Sequence, residues 1–421
     1  MYIPYETIGN LPFFNKFKDK FYDLKVRQNL EYIAENYKKV QKRLQKKSKK
    51  GPLKVVFYVY DDTKWKCQSL YDLLDEDKAF EVEILVTKNA AKNKDNPSYQ
   101  TIEDVKKTYE FFANKKMNVK YAYDIKHNRF IPFEKFNPDI IIYQHPWYVE
   151  TSQGPVVCSK FAMTCYVPYY VGNTTSEIEY GLRFHAYVHK HFVLNECVKE
   201  YFLSKPLLNP NNLSVVGHPT LDYYILNKSV ESNKKYVIYA PHWSINDKRL
   251  ELSTFKWSGK YILEYAQKHP EINWLFKPHP LLKHRLLTEN IMNKDEVEKY
   301  WSDWANIGQV CESGDYFKYF NNSKVMITDS ASFLVEYFPT KQPVIHLMTE
   351  TSKNCWTPDV TKLINTYYPA NNLEELKSQL KKIFEDNNDY KQHFRSKILS
   401  ELDYCNQTLS AKRVIDEIKQ F

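Results

Sequence analysis

Glycine is scarce, with 9 residues in a chain of 421. Neither G-x-G-x-x-G nor G-x-x-x-x-G-K-[ST] occurs, which argues against a dinucleotide oxidoreductase and a P-loop ATPase. A bound phosphate must then be held by side chains and a helix end rather than by a glycine cradle. Cysteines are few and dispersed (67, 158, 165, 197, 311, 355, 405), with no C-x-x-C pair. An odd, scattered set points to reduced thiols and away from a disulfide framework or a zinc site. The opening Met1-Tyr2-Ile3-Pro4-Tyr5-Glu6 lacks the charged-then-apolar plan of a signal peptide. No apolar run approaches the roughly 20 residues that cross a bilayer, so the chain reads as cytoplasmic. No carboxylate cluster calls for a metal, and neither a metal nor a cofactor is expected.

Charge is present but unevenly placed. Residues 1–50 carry 13 Lys/Arg against 5 Asp/Glu, which accounts for +8 of the total +9. The remaining body is nearly neutral, so a nucleic-acid partner is not expected. From Val26 the apolar residues fall at Val26, Leu30, Ile33, Tyr37, Val40 and Leu44, a helical seam. Basic residues crowd positions 38–50, where no acid occurs. Three readings stand: a helix packed on the body with a solvated basic end, docking on an anionic membrane face, or homo-oligomerisation through the seam. Docking would gain about 1 kcal/mol per basic residue near such a surface.

Beyond Gly51-Pro52, apolar runs alternate with helical periodicity. Strands are expected at 54–60, 81–86, 139–143, 161–167, 192–194 and 214–216, and again at 235–239, 274–276, 309–311, 325–328 and 343–347. This length and alternation predict an α/β protein of two doubly wound, Rossmann-like domains facing a cleft. The expected division is a basic helical extension (1–50), an N-terminal domain (51–226), a C-terminal domain (227–395) and a closing helix (396–421). The domain junction is expected in the polar stretch 227–234.

Two segments carry the chemistry. Lys277-Pro278-His279-Pro280 follows one strand, and Thr328-Asp329-Ser330-Ala331-Ser332 follows another 51 residues later. Strand ends at that separation can be sheet neighbours, their loops opening on one crevice. The flanking prolines restrain the backbone of His279, and Lys277 adds positive charge. Ser330 and Ser332 begin a helix, where hydroxyls serve either as caps or as phosphate donors. Glu336, one turn on, is within reach of a ribose hydroxyl or is simply a surface glutamate. His242 and Trp243 close the 235–239 strand and face a base or phosphate, although Trp243 also suits a core.

The series Tyr239-Ala240-Pro241-His242-Trp243, Lys277-Pro278-His279-Pro280 and Ile327 through Ser332 with Glu336 resembles the CDP-glycerol glycerophosphotransferase family. Val216-Gly217-His218-Pro219-Thr220-Leu221-Asp222 is similar to the Gly-x-Pro-x-x-Asp segment that ends that family's first domain. The resemblance implies a GT-B fold and a cytidine-activated donor bound by His242, Trp243, Lys277, His279, Ser330, Ser332 and Glu336. It implies transfer of glycerol phosphate from CDP-glycerol to a hydroxyl of a surface glycan or its lipid-linked precursor, at the inner face of the plasma membrane. The His-Pro and Ser-x-Ser pair is shared with CMP-sugar transferases (sialic acid, Kdo), so that donor is the alternative; an inactive glycan-binding scaffold is another. The family's polymerases carry a first-domain Trp-His-Gly whose histidine is taken as the base. Here the corresponding stretch is Tyr166-Val167-Pro168-Tyr169-Tyr170, without histidine. His145, Asp61 and Asp62 are the candidate bases in its place, and Asp62, Trp65 and Tyr170 the candidate acceptor contacts.

Overall fold

The structure, a computed structural model, describes residues 12–92, 99–171, 174–175, 182–204, 208–227, 235–247, 251–312, 316–402 and 408–421, with backbone only for 12–25. The first half holds β1 (Leu53–Val59), β2 (Phe80–Val86), β3 (Val119–Tyr121), the ribbon β4 (Tyr123–Asp124) and β5 (Arg129–Phe130), β6 (Ile140–Tyr143), β7 (Met163–Tyr166), β8 (Lys190–Val193) and β9 (Leu213–Val215). The second holds β10 (Tyr236–Ala240), β11 (Asn273–Phe276), β12 (Gln309–Val310), β13 (Ser323–Thr328), β14 (Val344–Leu347) and β15 (Tyr368–Ala370). They form a parallel seven-stranded sheet ordered β3-β2-β1-β6-β7-β8-β9 and a parallel six-stranded sheet ordered β12-β11-β10-β13-β14-β15. Strand order reverses between β1 and β6 in one sheet and between β10 and β13 in the other. Such switch points open a crevice at the strand C-termini, where α/β sheets bind ligands.

Parallel strands covered on both faces need apolar side chains on both sides, and β1 shows why the sequence complies. Val55, Phe57 and Val59 join the core shared with helix Gln68–Glu76, while Val56 and Tyr58 join a second core with Phe133, Ile141 and Tyr143. The N-terminal helix Pro12–Lys47 lays Ile33, Tyr37, Val40 and Leu44 into the first of these cores. At its far end Arg43 and Lys47 pair with Asp139, and Arg43 donates to the Phe161 carbonyl at 2.6 Å. The seam is therefore packed on the body, as the first of the three readings expects, and Lys38, Lys39, Lys42, Lys46, Lys49 and Lys50 stay exposed.

The Gly-x-Pro-x-x-Asp segment is a docking point for the chain's last helix. Gly217 adopts φ +84°, a region that disfavours side chains, and a Cβ there would lie 2.4 Å from the Ser410 hydroxyl. Pro219 begins a short 3-10 turn. Asp222, fully buried, accepts from the Ser410 and Ala411 N–H groups at 2.7 and 2.9 Å and from Ser69 Oγ at 3.0 Å. It thereby caps helix Ser410–Ile418, which returns Ala411, Val414, Ile415 and Ile418 to the first sheet's core. Helix Gln392–Leu402 runs through 395–396, where the sequence suggested a boundary. The 227–234 junction, apart from Asn227, lies outside the described residues.

The two units share a core rather than a bare linker. Val193, Val198, Phe202 and Leu213 of the first pack in one cluster with Ile238, Leu275, Met326 and Leu334 of the second. Asn195 Nδ2 also donates to Asp359 at 2.6 Å. Two three-residue edge strands, β3 and β15, and helix Lys294–Ile307 are elements that the sequence reading passes over. The six described cysteines are all free thiols.

Candidate active site

The second unit contributes three adjacent loops, after β10, β11 and β13. Thr328 locks the last of these by donating to the Ala240 carbonyl at 2.7 Å while accepting the Ser330 N–H at 2.9 Å. Asp329 points inward. Its carboxylate accepts the His242 N–H at 2.6 Å, the Thr254 N–H at 2.6 Å and the Thr254 hydroxyl at 2.8 Å. Burial pushes its pKa up to about 6, against the pull of those hydrogen bonds. Asp329 is thus a brace for the His242 loop, a role the sequence reading leaves unassigned.

Both histidines of this wall have an assigned tautomer. The Ser244 backbone N–H donates to His242 Nδ1 at 3.4 Å, which makes that nitrogen an acceptor and turns the Ser244 hydroxyl proton, 2.7 Å away, toward it. His279 Nδ1 accepts the Leu281 N–H at 3.1 Å, while the His279 backbone N–H donates to the Pro241 carbonyl at 3.1 Å. In each neutral ring the proton then sits on Nε2. Burial lowers the His242 pKa to about 4; burial, His242, Lys277 and Lys64 together hold His279 well below its ordinary value. The two rings lie 5.3 Å apart, with Trp243 at 5.8 and 6.0 Å from them. Trp243 also leans on the core and receives Arg285 at 5.6 Å.

The hydroxyls and the remaining candidates are placed as follows. Ser330 occupies the N-cap of helix Ala331–Glu336, yet its side chain makes no capping bond, and Ser332 is half-buried in the first turn. Lys277 is buried, its ammonium 5.3 Å from the Tyr316 ring. Glu336 is no surface residue: 1% exposed, it accepts the Tyr316 hydroxyl and lies 3.7 Å from Lys66 Nζ.

The first unit answers with the loops after β1 and β6, the pair flanking its own switch point. Gln144 Oε1 ties them by accepting the Lys66 N–H at 3.0 Å. Asp61 accepts from the Thr63 N–H at 3.0 Å and hydroxyl at 2.7 Å, and pairs with Lys64 at 3.2 Å. Burial would raise its pKa, but Lys64, Thr63 and His145 prevail and hold it below the ordinary carboxylate value. His145 is fully buried against the rings of Tyr60 (4.3 Å) and Tyr169 (5.1 Å). Neither of its ring nitrogens has a hydrogen-bond partner among the described residues. Burial and Lys64 press its pKa well down, with Asp61 opposing. Tyr170 is buried 6.0 Å from Trp147.

The structure thus brings Asp61 and His145 together and turns two other candidates elsewhere. Asp62 accepts from Thr108 on helix Ile102–Asn114 at 3.2 Å. Trp65 packs its indole on Phe57, Tyr71 and Phe112. Lys64, Lys66, Tyr316 and Asp329 were missed. The only sequence hint was that Lys64 and Lys66 alternate with Trp65 just after the two aspartates.

The profile described as CDP-Glycerol:Poly(glycerophosphate) glycerophosphotransferase matches residues 42–420. The chain belongs to this family. It is a transferase whose donor is CDP-glycerol and whose acceptor is a cell-wall glycan; the CMP-sugar and scaffold readings are not favoured. Among solved structures, the wall teichoic acid polymerase TagF soaked with CDPG is similar at a TM-score of 0.55 and 12% identity, covering 97% of this chain and 96% of that one. The S. aureus MnaA–UDP structure is similar at 0.56 and 13%, covering 87% and 96%. The Neisseria meningitidis UDP-GlcNAc 2-epimerase bound to UDP-GlcNAc gives 0.54 and 15%, covering 88% and 100%. At these identities the likenesses establish the GT-B-like fold alone. A search of curated proteins finds no match.

Proposed function

We propose that an acceptor hydroxyl, entering from the first unit, attacks the glycerol-bearing phosphorus of CDP-glycerol held by the second. The new P–O bond forms as the bond to the bridging oxygen breaks, so that CMP leaves with the electron pair. His145 takes the hydroxyl proton. His242 and His279, as neutral Nε2–H donors, Lys277, and the Ser330 and Ser332 hydroxyls receive the phosphate oxygens and stabilise the charge that grows on CMP. Preorganised donors of this kind usually make the largest catalytic contribution.

One observation carries the reading: the loops at the two switch points abut, with Lys66 of the first 3.7 Å from Glu336 of the second. His145 is preferred to Asp61 as the base because the Asp61 carboxylate is already engaged by Lys64 and Thr63. Acceptor-dependent release of CMP from CDP-glycerol by the purified protein, abolished in His279→Ala, tests it. Turnover of CMP-sugars but not CDP-glycerol, or unchanged product from His279→Ala, would overturn it.

Among the described residues no helix is long and apolar enough to cross a membrane. The exposed lysines of the N-terminal helix support contact with an anionic membrane face by charge alone, since the apolar seam is taken up by the core. Co-sedimentation with anionic vesicles that disappears at high salt is the expected result; equal binding to neutral vesicles would refute it.

A further inference from the structure

A cluster of withdrawn charge lies where the two units touch. Lys66 leaves the loop after β1, its N–H held by Gln144. Its ammonium donates to the Tyr316 hydroxyl, stands 4.4 Å from the centre of that ring and lies 3.7 Å from Glu336 Oε2. From the other unit, Lys277 Nζ approaches the same ring to 5.3 Å and the Phe333 ring to 5.8 Å. The Lys66 side chain is 11% exposed, Glu336 1% and Lys277 5%.

Two ammonium groups and one carboxylate are therefore removed from water together. A buried charge without a counter-charge is unfavourable by several kcal/mol, and Lys277 registers this: burial, with Lys66 among the smaller causes, lowers its pKa. Glu336 and Glu312 oppose that lowering, but Glu312 is half-exposed and already paired with Lys283 at 3.0 Å, so the buried groups themselves number two cations and one anion. Lys277 sits two residues before His279, so an anion that satisfies it is the one held at His279.

We propose that Lys66 is a ligand of the donor's diphosphate, delivered across the cleft by the acceptor-side unit. The inference rests on the assignment of the donor to the second unit. Glu336 and the Tyr316 hydroxyl keep the Lys66 ammonium in place between ligands. A diphosphate reaching Lys277 from one side and Lys66 from the other then bridges the two units.

The test uses the full chain as wild type, Lys66→Met and Lys66→Arg, with CDP-glycerol and CDP titrated by calorimetry and the acceptor KM measured in parallel. A charge-assisted hydrogen bond of ~1.5–3 kcal/mol corresponds to about tenfold or more in Kd. Both nucleotides are expected to weaken by at least that factor in Lys66→Met, to recover largely in Lys66→Arg, and to leave the acceptor KM unchanged. An unchanged Kd in Lys66→Met, or an acceptor KM rising in step with it, would show Lys66 to be only a tether between the units. Lys66→Gln supplies the same comparison should Lys66→Met fail to fold. A wild type that binds neither nucleotide would instead overturn the donor assignment itself.

Discussion

Replacing His145 by leucine should make the protein more stable and inactive at once. The imidazole is fully buried between Tyr60 and Tyr169, and neither nitrogen has a partner among the described residues. A buried donor or acceptor left unsatisfied costs ~1–3 kcal/mol, so the ring withholds about 2–6 kcal/mol from the fold. Leucine is close in volume, and imperfect repacking returns about 1–2 kcal/mol of that. The expected net gain is up to about 5 kcal/mol in urea denaturation. The sign of the pH dependence is also fixed. The folded pKa lies well below 6.5, so below that pH the unfolded chain binds more protons and wild type loses stability. The advantage of His145→Leu should widen by ~1.4 kcal/mol per pH unit below 6.5, until the folded pKa is reached. CMP release should fall by about 10²–10⁴, as for loss of a general base. Two controls separate chemistry from packing. His191 is buried with both nitrogens likewise unpartnered, but on β8 against Phe202, so His191→Leu should stabilise without touching the rate. Asp61→Asn should stay within about tenfold of wild-type activity. A destabilised or active His145→Leu, or an Asp61→Asn that loses more than His145→Leu, would refute the argument.

Asp222→Ala leaves the buried Ser410 and Ala411 N–H groups without their acceptor; a loss of about 2–4 kcal/mol is expected, with protease cleavage appearing just ahead of helix Ser410–Ile418. Lys64→Met removes a cation that presses down both His145 and His279, so both become easier to protonate. The acid limb of the kcat/KM profile should move to higher pH, and a downward move would contradict the placement of that charge.

The legible part of the fold is what burial writes into composition. β1 and β6 read as unbroken apolar runs because both faces of each are covered, and helix Phe255–Lys268 shows its periodicity plainly. β3 and β15 are three residues long at sheet edges, too short for any pattern. Helix Lys294–Ile307 was legible and passed over: Val297, Tyr300, Trp301 and Trp304 keep helical spacing, and Asn293 with Glu296 forms a capping box. In the site, the donor wall is written locally, because each of its residues follows a strand within a few positions. The acceptor wall is not. Asp61 and His145 meet only because sheet order sets β6 beside β1, and Lys66 is one of 60 basic residues until it meets Glu336, 270 positions away.

The same contrast decides what the donor wall can contribute electrostatically. His242, with a pKa lowered to about 4, and His279, held well below its ordinary value, are neutral near pH 7. They can offer phosphate a hydrogen bond but no full charge, so the positive charge must come from the lysines. CDP-glycerol affinity should therefore be nearly flat between pH 6 and 8. Were protonated imidazoles the binding form, affinity would strengthen about tenfold for each unit of acidification from their pKa in the complex down to their lower pKa in the free protein. Calorimetry at pH 6, 7 and 8 distinguishes the two, and a steep rise toward pH 6 would mean that phosphate binding draws protons onto these rings. The burial of His242 and its bond from the Ser244 hydroxyl argue against that, since a protonated Nδ1 would lose an acceptor already in use.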